Sequence, residues 1–265
     1  MTNFTFDWAG VLTGNPAHWL FTGLLMTILV TVASSLLATA GAVLVLGLRL
    51  APGRFGRWSA GAFVEIFRNT PLLVQLLFWY FAAYTLLPEV VRQWITQEHP
   101  WFTLPGGVYL LTPEFLSATW GIGLFFAVFL TEELRSGLLA IPAGQRDAAE
   151  SQGFGYWATL RHILLPQAFV NAWQPLIGQY LNLMKLTSLA AGIGLAELTY
   201  RVREIESYNG HALEAFAVGT AIYLIIGTVM GQLLMRFGPR RKDARSTITA
   251  VTRATGAAFG ERHDA

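Results

Sequence analysis

The chain has 265 residues, of which 54% are hydrophobic and only 13% are charged. Soluble domains carry charge on about a quarter of their residues, so a water-exposed globular domain is excluded as the bulk of this protein. The net charge of +2 does not point to nucleic acid, because the basic residues fall between apolar runs as membrane topology requires, and the absence of cysteine excludes disulfides, thiolate metal sites and a cysteine nucleophile.

Residues 1–17 carry Asp7 and no Lys or Arg, so they lack the basic opening of a cleavable signal peptide and are expected to form a short segment outside the membrane. The first apolar run, about 18–48, then acts as its own signal-anchor. A second run covers about 58–87. Within it Glu65 and Arg68 are spaced for an ion pair on one helix face, and Asn69-Thr70-Pro71 breaks the helix. Its far end holds Phe78, Trp79, Tyr80, Phe81 and Tyr84, the composition of an interfacial aromatic belt. A long loop at 88–112 precedes the third run at about 113–140, which ends on Glu132, Glu133 and Arg135. Glu132 and Arg135 are spaced as an internal ion pair.

After a polar segment at 141–166, the fourth run at about 167–195 carries Asn171, Gln174, Gln179, Asn182 and Lys185, too polar to face lipid throughout. A segment with Arg201 and Arg203 is read as a loop, and the fifth run spans about 214–237. Residues 238–265 are polar without an apolar period and are expected to be a disordered tail. Each run reaches the roughly 20 residues a bilayer-crossing helix needs, giving an all-α, polytopic membrane protein with about five transmembrane helices. No Lys or Arg precedes Arg49, whereas Arg49, Arg54, Arg57, Arg146, Arg161 and the cluster after Arg236 fall on one side. The positive-inside rule then puts the N-terminus out, the C-terminus in, and 141–166 in the cytoplasm, with Arg201 and Arg203 the one discordant pair.

The segment "DAAESQGFGYWATLRHILLP" at 147–166 stands apart from its greasy surroundings. Asp147, Ala148 and Ala149 are followed by three residues, then Gly153, then nine residues, then Ile163 and, after one intervening position and a Leu, Pro166. Gly153 suits a turn, and Pro166 suits the start of the next helix. Phe154, Trp157 and Leu160 recur at helical spacing and form an expected docking face for a soluble partner. This pattern resembles the EAA loop of ABC importer permeases, E-A-A-x3-G-x9-I-x-L-P, with Asp in place of the first Glu. "EIFRNTPLLVQLLFWYF" at 65–81, "IPAGQRDAAESQGFGYWATLRHILLPQAF" at 141–169 and "KLTSLAAGIGLAELT" at 185–199 resemble the polar amino-acid subfamily. "YNGHALEAFAV" at 208–218 and the loop at 88–112 are similar to permeases of glutamate/aspartate importers.

The resemblance covers about 18–237 and implies a machine of several parts in a bacterial inner membrane. Two permease subunits, identical or homologous, form the pore; an ATPase dimer in the cytoplasm holds ATP and Mg; a periplasmic substrate-binding protein delivers the amino acid. This chain has no G-x4-G-K-[ST] loop, so it is expected to bind no cofactor and catalyse no chemistry itself. Asp147, Ala148, Ala149, Gly153, Phe154, Trp157, Ile163 and Pro166 are then the residues expected to couple it to the ATPase.

The same resemblance directs attention to the substrate path. The family's acid at the position of Glu132 lies near that path, and Thr70 matches a position that faces substrate in importers of basic amino acids. Those relatives carry carboxylates at the positions of Gln179 and Leu186. Gln179, Asn182 and Leu186 share one side of a helix, and with no carboxylate at either position a cationic substrate would lose its partners. Acidic or neutral polar amino acids remain as substrates. Lys185 is read as structural, since relatives of several specificities have Lys there. The reading is a permease for glutamate and aspartate working by alternating access, with a permease for neutral amino acids such as glutamine as the alternative. A secondary transporter is the rival outside the family, and the lack of paired halves argues against it.

Overall fold

The computed structural model describes residues 6–97, 99, 102–104 and 108–239. The polar tail at 240–265 and residues 1–5 lie outside the described residues. A one-turn helix, α1 (Ala9–Leu12), leads into the long α2 (Gly14–Leu50), which begins before the expected position 18. At 1.5 Å per residue α2 is roughly 55 Å long, well beyond the ~30 Å hydrocarbon thickness, so it either tilts or projects from the bilayer.

The second apolar run is two helices. α3 (Arg54–Arg68) ends at Asn69, Pro71 starts α4 (Leu72–Leu77), and α4 continues through a π-helical turn (Phe78–Ala83) and a 3-10 turn (Tyr84–Leu86). A bend of 120° then leads into α5 (Glu89–Thr96). The interruption falls at Asn69-Thr70-Pro71 because proline disfavours the helical conformation for the residue before it, and the freed groups are satisfied locally. Gln75 Nε2 donates to the Thr70 hydroxyl at 2.7 Å and to the Phe67 carbonyl at 3.0 Å. Glu65 does not pair with Arg68 as the spacing suggested; its carboxylate accepts from the Asn69 side chain at 2.9 Å. The reason is the break itself, which brings the Asn69 amide back over the last turn.

Two residue pairs form a short antiparallel hairpin, β1 (Thr103–Leu104) with β2 (Val108–Tyr109), before α6 (Pro113–Leu139). The Thr112 hydroxyl caps α6 by accepting from the Phe115 N–H at 3.1 Å, with Pro113 at its first position. α7 (Gly144–Ser151) and α8 (Tyr156–Thr159) follow, and a π-helical turn (Leu160–Leu164) runs directly into α9 (Leu165–Leu186). A 3-10 stretch (Thr187–Ile193) leads to α10 (Leu198–Asn209) and α11 (Ala212–Phe237). The segment with Arg201 and Arg203 is therefore a helix and not a loop. Leu198, Val202 and Ile205 bury one face of it, and at the edge of that face Arg201 pairs with Glu204 at 2.5 Å.

Three of these helices, α2, α6 and α11, are long and apolar enough to cross a membrane, and the bent α4–α5 pair makes a fourth candidate. α9 has the length but carries the polar residues noted above. α6 is the hub: it packs along α2 and against α9, and its Ile122, Phe126 and Leu130 are the centre of the largest buried cluster. Without a hydrophobic drive between helices in lipid, close backbone approach holds such a bundle together. A Cβ at Gly137 would sit 2.4 Å from the Ala168 carbonyl oxygen, so α6 and α9 cross there only because Gly137 is a glycine.

Candidate functional site

Adjacent residues on a helix project about 100° apart, and at the end of α6 this sends two carboxylates to different neighbours. Glu132 turns to α2, where Arg49 donates to it at 2.5 Å, and Arg135 reaches its other oxygen at 3.4 Å. Glu133 turns to α9 and accepts from Gln179 Nε2 at 2.9 Å. The internal Glu132–Arg135 pair expected from spacing is present, but the shorter contact is the cross-helix one to Arg49. No sequence signal at Arg49 separated it from the neighbouring loop arginines.

On α9, Gln174, Pro175, Gly178, Asn182 and Lys185 are exposed along one side of the helix. Gln179 and Leu186 are half-buried at its edge, and Leu186 packs on the main core. Among the described residues the Lys185 ammonium has no ion pair. Thr70 is exposed at the α3–α4 break, and its hydroxyl is engaged by Gln75 and by the Ile66 carbonyl at 2.7 Å. The structure thus brings Gln179 to Glu133, ties Glu132 to α2, and leaves Asn182 and Lys185 open. A helix at membrane depth cannot present such a face to lipid without a cost of several kcal/mol per unsatisfied group.

At the end of the bundle where α2 and α6 finish, the segment after α6 folds into a turn with two fastenings. Gly153 has φ +82°, which lets the Gly153 N–H reach the Glu150 carbonyl at 2.9 Å and the Phe154 N–H reach the Ala149 carbonyl at 3.0 Å. These are the two bonds of a Schellman cap, with glycine at its left-handed position. Ala149 is buried beneath it, while Asp147, Ala148, Phe154 and Trp157 are exposed. Leu160 does not share their face. Phe154 lies ahead of α8, the helix widens into a π turn at Leu160, and Leu160 is buried with only 6% exposed. The apolar surface on offer is Phe154, Tyr156 and Trp157. Ile163 is half-buried, and Pro166 sits in the first turn of α9. The second fastening is the Tyr156 hydroxyl, which donates to the Leu50 carbonyl at 2.8 Å and so ties the turn to the last residue of α2.

The opposite end of the bundle holds groups the sequence reading passed over. Glu197 is fully buried, accepts from the Tyr200 N–H at 2.9 Å and from the Tyr223 hydroxyl at 2.6 Å, and caps α10. The Leu198 N–H donates to the Thr27 hydroxyl at 3.0 Å, so α10 is knitted to α2 and α11 together. An acid inside the apolar run "GIGLAELT" was the available signal. Nearby, Glu214 accepts from the Asp7 N–H at 2.9 Å, with His211 Nε2 3.4 Å from the Asp7 carboxylate. The aromatic residues at 78–84 are more engaged than a belt requires, since the Tyr80 hydroxyl donates to Glu114 at 2.8 Å.

An all-α bundle with one helix too polar for lipid and a polar turn beneath it defines a multi-pass membrane protein built to move a polar solute. Residues 43–243 match the family described as the inner membrane component of binding-protein-dependent transport systems, and the chain belongs to that family. It is 31% identical to the glutamate/aspartate import permease protein GltJ of Escherichia coli (strain K12) over 80% of this chain and 84% of that protein. It is 33% identical to the glutamine transport system permease protein GlnP of the same strain over 89% of this chain and 98% of that protein. The crystal structure of an amino acid ABC transporter with histidines has the same fold, with a TM-score of 0.71 at 23% identity, covering 88% of this chain and 98% of that one.

Proposed function

We propose that this chain is the permease subunit of an ATP-driven importer for polar amino acids, with glutamate and aspartate as substrates. The observation that carries the reading is the exposed polar side of α9. Lipid cannot cover it, so a second permease subunit and the solute path cover it instead. Lys185 is the cation on that side and offers a charge-assisted contact to an acidic side chain, worth about 1.5–3 kcal/mol, while Gln179 and Asn182 supply neutral hydrogen-bonding groups. The similarity to a protein named for glutamate and aspartate import supports the same substrate class.

In this reading the N-terminus is outside and 141–166 faces the cytoplasm of a bacterium with the chain in its inner membrane. The turn around Gly153 is the EAA-type coupling element. Asp147, Ala148, Ala149, Phe154 and Trp157 meet an ATPase dimer that binds ATP and Mg, and Tyr156 transmits its movement to α2 through the Leu50 carbonyl. A periplasmic binding protein delivers the amino acid to the α10 end, and the path opens alternately to either side. No covalent step occurs in this chain. Cations are disfavoured because Lys185 puts positive charge on that side, and Glu133, a carboxylate at its edge, already accepts from Gln179.

Glutamine is the second reading. Glu133 places negative charge beside Gln179, which opposes an acidic substrate, and the chain matches the glutamine permease over more of its length. ATP-driven uptake of radiolabelled glutamate, aspartate, glutamine and arginine by the reconstituted transporter tests both. Accumulation of glutamate and aspartate supports the first reading. Glutamine alone supports the second, and arginine uptake overturns the argument from Gln179 and Leu186.

A further inference from the structure

A cavity of about 460 Å³ opens where α2 and α6 end, between them and the turn that follows. Arg49, Arg135 and Arg146 line it. They are unequally committed. Arg49 is held by Glu132 at 2.5 Å, Arg135 is half-exposed with only the 3.4 Å contact to the same carboxylate, and Arg146 has no ion pair among the described residues. Asp147 also lines the cavity, so with Glu132 counted the three arginines leave a net charge of +1. Below this polar rim the walls are apolar, made by Leu46, Leu50, Leu138 and Leu164. Leu139 also lines the cavity and is exposed by 73%, so apolar surface opens outward at its edge.

We propose that this cavity is a binding site for an anionic membrane phospholipid. The guanidinium groups of Arg135 and Arg146 take its phosphate, and the leucine walls take the first part of an acyl chain. Guanidinium forks match phosphate oxygens geometrically, and basic pockets between helices at the membrane boundary are a physical basis for headgroup recognition. The leucine walls and the exposed Leu139 at their edge favour a lipid over a free phosphate ion, which would leave those leucines uncovered. The site lies against the Gly153 turn, so an occupant sets how that turn rests on α2. The orientation proposed above puts this site in the cytoplasmic leaflet, and the use of the assembled transporter below rests on the same proposal.

The test is native mass spectrometry of the assembled transporter, permease with its partner subunits, released from bilayers of phosphatidylcholine and phosphatidylglycerol in equal parts. One phosphatidylglycerol should be retained per copy of this chain in preference to phosphatidylcholine. Its affinity should fall about fivefold with Arg146→Gln and about fivefold again with Arg135→Gln added. The double Lys variant should bind more weakly than the parent but more tightly than the double Gln variant, which separates lost charge from a lost fold. Equal retention of both lipids overturns the proposal, as does unchanged retention by the double Gln variant. Displacement by inorganic phosphate alone would make the site one for a free anion. Binding that appears only after the ATPase is stripped away would mean a partner protein closes the cavity. Lipid retention is read without transport, so failure of amino-acid uptake leaves this result standing, and the converse also holds.

Discussion

Gly153 and Gly155 offer a matched pair of substitutions two residues apart. Both are exposed, and a Cβ added at either meets nothing within 4 Å. They differ in backbone: Gly153 has φ +82°, whereas Gly155 has φ −73° and ψ 164° ahead of α8. A non-glycine residue in the left-handed region costs roughly 1–2 kcal/mol, so Gly153→Ser should lower the population of the capped turn about 5- to 30-fold against unwound alternatives. Gly155→Ser places a favoured capping residue in the extended conformation it prefers and should be neutral or slightly stabilising. The assay is ATP-driven uptake of glutamate and glutamine by the reconstituted transporter, with ATP hydrolysis measured in the same vesicles. Gly153→Ser should lose most of its uptake while the assembled complex is still recovered, and Gly155→Ser should match the parent. Equal effects from the two variants, or the larger loss at Gly155, would refute the argument that the left-handed cap positions the docking surface.

Other contacts give differential predictions. Arg49→Gln removes the short cross-helix bond to Glu132 and should cost about 1.5–3 kcal/mol, read as a lower melting temperature in detergent. Arg135→Gln removes an exposed contact at 3.4 Å and should cost less than about 1 kcal/mol by the same measurement. Lys185→Gln should raise the KM for glutamate about tenfold or more and leave glutamine nearly unaffected; a parallel rise for both would return Lys185 to a structural role. Glu197→Ala strips the cap from α10 and leaves the Tyr200 N–H and Tyr223 hydroxyl without their acceptor. It should lower the melting temperature more than Arg49→Gln does, because that carboxylate is fully buried.

Apolar run length carried most of the fold. It located α2, α6, α9 and α11, and the proline at 71 marked the break between α3 and α4. It failed at α10, where Leu198, Val202 and Ile205 do repeat at helical spacing. The run is only 12 residues and carries charges that read as loop in a membrane context. Length is the criterion for a spanning helix, and a helix that packs at membrane depth without crossing does not meet it. The buried Glu197 was legible for the same reason it was passed over: an acid among apolar residues signals a satisfied intramembrane group as well as it signals a loop.

The site was legible as residue types but not as partnerships. Glu132, Glu133 and Arg135 form one cluster in the sequence, and spacing along a helix can pair Glu132 only with residues of its own helix. The fold divides them, sending Glu132 to Arg49 on α2 and Glu133 to Gln179 on α9. These two contacts fix α6 to both neighbours at one level, just above the turn that Tyr156 ties to the end of α2. In the coupling role proposed above, a displacement of that turn would be felt first at Leu50, one residue beyond Arg49, and would reach the α9 side through the adjacent carboxylates of α6. In the function proposed above, the same division leaves Lys185 as the exposed charge on the α9 side while Glu133 is engaged by Gln179, an arrangement that would favour an anionic side chain over a cationic one.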